Sequence, residues 1–155
     1  MTEVMWVKTK DLTGGIATAL KAKPELLRVM AGAEITESIP ETPLVQVYFQ
    51  SKDSTSPGGN DRISFGGSQK NPLRQTQVLI HVDCYVKQRA NIGDEMALLE
   101  DLLDVIDMVM ESQTSSPFFG VAGIKSWNWR AERVTFTYGQ VDYVGVRYFV
   151  TLNLI

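Results

Sequence analysis

The scarcest reactive side chains set the limits on chemistry here. The chain holds one histidine, His81, and one cysteine, Cys84, with Asp83 between them. A Cys/His nucleophilic pair needs the two side chains within hydrogen-bond reach and a third group to orient the base. The surrounding run places Val78, Ile80, Val82, Cys84 and Val86 in alternation with Gln77, Leu79, His81, Asp83, Tyr85 and Lys87, which is the period of a strand. A strand sends positions 81 and 84 to opposite faces, so they cannot pair with each other. His81 therefore reads as a satisfied or exposed strand histidine and Cys84 as a small buried hydrophobe. One His and one Cys fill no familiar metal-ligand spacing, and no Asp-rich calcium loop is present. The glycine pairs Gly58-Gly59 and Gly66-Gly67 lack the spacing of a phosphate cradle. No catalytic residue, metal or cofactor is expected.

The elements that carry these residues follow from periodicity. Leu12, Ile16, Ala19 and Leu20 mark a first helix, weakened by Gly14 and Gly15, and Pro24 could open a second through Leu26, Leu27, Val29 and Met30, ended by Gly32. Val45, Val47 and Phe49 alternate with Gln46, Tyr48 and Gln50 on a strand opened by Pro43. Ser51 to Gln75, rich in Ser, Gly and Asn, reads as a long flexible loop, arm or hairpin. After the alternating strand at 77–87, Met96, Leu99, Leu103, Ile106 and Met110 form a stripe, flanked by Leu102 and Val109, on a helix from about Asp94 to Met110. Two strands close the chain, one with Val134, Phe136 and Tyr138 in its apolar row and one with Val144, Val146, Tyr148, Val150, Leu152 and Leu154, joined by a turn at Gly139-Gln140. The expected fold is a single α+β domain over residues 1–155, with a mainly antiparallel four-stranded sheet, helices on one face, and the long insertion between the first two strands.

Composition is that of an ordinary globular protein: 155 residues, 44% apolar, 21% charged and net charge -3. That size needs no disulfide or metal staple to build a core, and the net charge disfavours non-specific nucleic-acid binding. No run approaches the roughly 20 apolar residues that span a bilayer, and no secretory signal is expected at the start. The charge is nonetheless two-sided. Residues 91–116 contain seven acids and no Lys or Arg, whereas 50–90 hold six cations against three acids, and Lys125, Arg130, Arg133 and Arg147 face two acids in the last part. Glu100, Asp104, Asp107 and Glu111 line one flank of the second long helix, where like charges at i, i+4 lower helix stability. This pattern is either intramolecular balance or the basis of head-to-tail association, an acidic helix of one copy meeting a basic strand face of the next. Tyr143, Arg147 and Phe149 share one face of the last strand, giving that face the composition of an interface.

In element order and segment flavour the chain resembles the tail terminator, or tail completion, proteins of long-tailed bacteriophages. The segments that carry the likeness are Pro43-Leu44-Val45-Gln46-Val47-Tyr48, the polar insertion, the strand from Gln77 to Tyr85, the Gly93-Asp94-Glu95-Met96 helix start and the closing hairpin, about 110 residues in all. Head-tail connector and neck proteins share the layout. The resemblance implies a structural protein of the virion, made in the host cytoplasm. It would form a ring, hexameric in this family, on the finished tail tube and join it to head-completion or neck proteins. DNA would pass through the ring without sequence-specific binding, and no membrane is involved. The expected subunit interface comprises Glu100, Asp104, Asp107, Glu111, Arg133, Arg147, Tyr143 and Phe149, and the expected tube or neck contact loop Arg62, Phe65, Lys70 and Arg74. The alternative is a small cytoplasmic ligand-binding domain or enzyme using the aromatic cluster Phe118, Phe119, Trp127 and Trp129.

Overall fold

The computed structural model describes residues 7–26, 28–31, 44–55, 75–87, 92–138 and 141–154. The elements are α1 (Thr9–Lys21), β1 (Val29–Ala31), β2 (Leu44–Thr55), β3 (Gln75–Lys87), α2 (Ile92–Glu111), a 3-10 turn at Phe118–Gly120, β4 (Ile124–Tyr138) and β5 (Val141–Leu154). The strands form one five-stranded mixed sheet in the order β1-β2-β3-β5-β4. All pairings are antiparallel except that of β1 with β2. The α+β class is as expected from sequence; the four-stranded antiparallel sheet is not.

The fifth strand comes from the segment expected to be a second helix. Leu26, Val29 and Met30 have helical spacing, but so short a run is marginal as a helix on its own, and the open edge of β2 decides it. Val29 aligns with Val45, and the Val45 amide donates to the Arg28 carbonyl at 2.8 Å. Pro24–Leu26 form turns instead, with Leu26 buried. The insertion also starts later than expected, because Ser51–Thr55 continue β2 in register with β3 beyond a bulge after Phe49. The rest of that loop, including Arg62, Phe65, Lys70 and Arg74, lies outside the described residues, as does the Gly139-Gln140 turn.

One face of the sheet is covered by both helices. Val78, Ile80, Val82, Cys84 and Val86 have no exposure at all, and they meet Leu12, Ile16 and Leu20 of α1 and Leu99, Leu102, Ile106 and Val109 of α2. Each such aliphatic side chain contributes roughly 1.5–3 kcal/mol when fully buried. Of the expected α2 stripe, Leu99, Ile106 and Met110 are buried with Leu102 and Val109 beside them, Leu103 is only half-buried, and the Met96 side chain lies outside what is described. Phe49, assigned to the same apolar row as Val45 and Val47, is 42% exposed beside its bulge.

β4 is longer than its pattern suggested because its apolar row changes sides. Trp127 and Trp129 lie opposite Leu152 and Val150 on the helix face, whereas Val134 lies opposite Gly145 on the other face. Arg130–Arg133 between them are exposed on both faces. Backbone pairing with β5 runs through that stretch without a break.

The two adjacent glycines of α1 differ in what they allow. A Cβ on Gly15 would stand 2.7 Å from the Phe119 carbonyl oxygen, while a Cβ on Gly14 meets nothing within 4 Å. Gly14→Ala should raise stability by about 1 kcal/mol through helix propensity, and Gly15→Ala should lower it, because the 3-10 turn cannot retreat. Urea denaturation of both variants checks this. Equal gains at the two positions would show that the turn does not press on α1.

Candidate functional site

The sheet face away from the helices carries ladders of side chains that run across four strands. In one, Tyr48, His81, Phe149 and Arg130 are successive cross-strand partners; in the next, Gln46, Asp83, Arg147 and Glu132 are. Register alone brings them together, since paired residues on one face lie within about 4.5–5.5 Å at Cβ. Asp83 is fully buried. Its Oδ1 accepts from Arg147 Nε at 2.9 Å and its Oδ2 from the second guanidinium nitrogen at 3.1 Å, the two-point geometry that suits arginine. Tyr48 Oη donates to Oδ2 at 2.8 Å, and Tyr85 Oη donates to the same oxygen. A buried carboxylate is tolerated only when so thoroughly satisfied.

The electrostatics follow from that packing. The hydrogen bond to Asp83 holds the Arg147 guanidinium more firmly protonated than usual. Burial, reinforced by the Asp83 charge, pushes the Tyr85 phenol well up, so it remains a donor. His81 Nδ1 lies 3.2 Å from Tyr48 Oη, and its ring meets those of Tyr48 and Phe149 edge-on. Burial, with the Arg147 charge next, depresses its pKa. Arg130 stacks on Phe149 at 4.0 Å and pairs with exposed Glu132 at 2.9 Å. Cys84 lies in the core on the other face, where burial pushes its thiol up to about 12. His81 and Cys84 thus sit on opposite faces, as the pleat requires. Gln46 Oε1, beside Asp83, is buried with no donor among the described residues.

The helix face presents a different surface. Glu100, Asp101, Asp104 and Glu111 are exposed on α2, and among the described residues no cation pairs with them. Met108, on the same side, is 61% exposed. Asp107 is tied down: Tyr148 Oη donates to it at 2.5 Å and to the Leu103 carbonyl at 3.2 Å, pinning α2 to β5. α2 ends with no basic residue in its last turn, and the Ser112 hydroxyl caps the Val109 carbonyl at 2.7 Å.

The residues expected at a subunit interface are therefore dispersed. Glu100, Asp104 and Glu111 form one exposed flank, Arg133 is exposed on edge strand β4, Phe149 is half-buried, and Tyr143 is buried. Arg147 is engaged with Asp83 of its own chain. The aromatic cluster packs against the core: Phe119 meets Trp127 edge-on at 4.9 Å and Trp129 lies 5.4 Å from Tyr148. The Gln113 side chain holds the Phe119 amide at 2.7 Å, fixing that residue's left-handed backbone. Trp127 and Trp129 also line a shallow groove with Met110, Glu111 and Gln113. The Asp83–Arg147 pair escaped the sequence reading, although both residues stood on matching faces of recognised strands. Lys10 and Lys21 of α1, eleven residues apart, are exposed and without ion-pair partners among the described residues.

No group of three or more metal-ligating side chains occurs among the described residues, and no described helix is long and apolar enough to cross a membrane. No protein-family model matches the chain, and no curated protein matches it.

Two outcomes follow for the Asp83 network. Arg147→Met should cost about 3 kcal/mol by stranding a buried charge, and Tyr85→Phe less, about 1.5 kcal/mol for one charge-assisted hydrogen bond; chemical denaturation ranks them, and the reverse order would contradict the geometry. Because burial keeps His81 neutral, the unfolded chain takes up a proton first as pH falls through about 6.5, so this residue's contribution is intact above that pH and declines below it. Denaturation midpoints between pH 7.5 and 5.5 should fall more steeply in the wild type than in His81→Gln.

Proposed function

We propose that this chain is a structural subunit that works by shape, closing into a ring with copies of itself in the manner of the tail terminators its element order resembles. The observation that carries the reading is the α2 flank, where Glu100, Asp101, Asp104 and Glu111 stand exposed and without ion-pair partners among the described residues, beside a largely exposed Met108. Self-repelling charge costs helix stability in an isolated chain, and a flank of one sign next to an exposed apolar side chain gains most from a partner of the opposite sign. Unlike faces meeting head to tail close into a ring when the rotation between copies permits. The rigid, hydrogen-bonded outer face of the sheet supplies a platform that keeps the helix layer in shape during such assembly.

In this reading the ring is hexameric, sits in the virion at the junction of tail and head, and stops tube growth because its upper face offers no further tube-binding edge. Its partners are the tail tube protein below and a head-completion or neck protein above, with DNA passing through the centre. The exposed cations of β4, Lys125, Arg130 and Arg133, lie on a charged edge strand of the kind that resists uncontrolled sheet-to-sheet pairing. A second reading draws on the groove beside Trp127 and Trp129, which could hold a small ligand in a cytoplasmic binding domain or enzyme.

Sedimentation velocity over a wide concentration range, with negative-stain images of the heaviest species, separates the two. Closed rings are expected, and Glu100→Lys with Asp104→Lys should shift the equilibrium toward monomer while leaving the circular dichroism spectrum unchanged. A monomer at every concentration would overturn the ring reading.

A further inference from the structure

The partner of the acidic flank can be named from helix geometry. Lys10 and Lys21 are eleven residues apart on α1, and so are Glu100 and Glu111 on α2. Eleven residues make three turns, so each pair lies on one side of its helix, about 16 Å apart. All four side chains are exposed and without ion-pair partners among the described residues.

Two of the four stand at the wrong end of their own helix. Lys10 is in the first turn of α1, where the helix dipole disfavours a cation, and Glu111 is the last residue of α2, where it disfavours an anion. An antiparallel meeting of the two helices would set Lys10 against Glu111 and Lys21 against Glu100, relieving both. It would also bring Met108 within one residue's rise of Gly14, the position on α1 with open space around it. Within one chain α1 covers β1 and β2, α2 lies on β3, and the two helices touch each other, while the four charged side chains stay exposed.

Resting on the ring reading above, we propose that the acidic flank of α2 docks antiparallel on the Lys10–Gly14–Lys21 face of α1 in a second copy of this chain. The basic counterpart is therefore a helix of the neighbour rather than its strand face. Each copy offers one face of each sign, which is what a head-to-tail contact requires.

Reciprocal charge reversal tests it. Lys10→Glu with Lys21→Glu, and separately Glu100→Lys with Glu111→Lys, should each weaken assembly about tenfold or more, because like charges then face each other. Mixing the two variants, or combining all four changes in one chain, should restore assembly. Gly14→Leu should leave the monomer folded and block docking through its added side chain. If the lysine variant assembles like the wild type while the glutamate variant does not, this pairing is wrong and the ring reading stands. If the wild type never assembles, both fall.

Discussion

A carboxylate with no access to water sits at the middle of the sheet, and its neutralisation sets the arrangement of everything on that face. Asp83 belongs to β3, the central strand, which is buried on both sides from Ile80 to Val86. Arg147 from β5, Tyr48 from β2 and Tyr85 from β3 itself converge on it. The bonds from the neighbouring strands can form only in one register, because a slip of one residue would carry Arg147 or Tyr48 to the opposite face. The ion pair therefore acts less as a source of stability than as a lock on alignment, a role buried polar groups fill in several folds. A sheet fixed in this way gives the helices on its other side a firm base.

On that base the two helices are held by unlike devices. α2 is anchored by its apolar stripe and by Tyr148, whose hydroxyl reaches Asp107 and the Leu103 carbonyl across the helix-sheet boundary. α1 is held by Leu12, Ile16 and Leu20 and by the approach of the Phe119 turn to Gly15. Both leave a charged side outward, one positive and one negative. A fold that spent these charges on each other internally would have nothing to offer a neighbour; here they stay separate, and the proposed association would neutralise them.

The periodicity of this sequence was a good guide wherever one face of an element met the core along its whole length. The strand at 77–87 and the helix at 94–110 were legible for that reason. It failed where tertiary context decided: Leu26, Val29 and Met30 have helical spacing, yet the free edge of β2 makes Val29–Ala31 a strand. It failed again in β4, whose apolar row switches faces between Trp129 and Val134, so that no single alternation runs through it. The exposed acids of α2 were visible as a charge pattern, but Asp107 could not be told apart from them, since its bond to Tyr148 depends on how α2 crosses β5. Nor does a sequence show that Arg147, with its interface-like neighbours, is already committed to Asp83.

The claim at the centre of this account is that α2 of one copy meets α1 of another. Zero-length carbodiimide cross-linking of a mixture of isotope-labelled and unlabelled protein addresses it most directly, because it joins a lysine to a carboxylate only where they touch. The account predicts mixed-isotope Lys10–Glu111 and Lys21–Glu100 peptides. Cross-links at these residues found solely within single-isotope chains would contradict it.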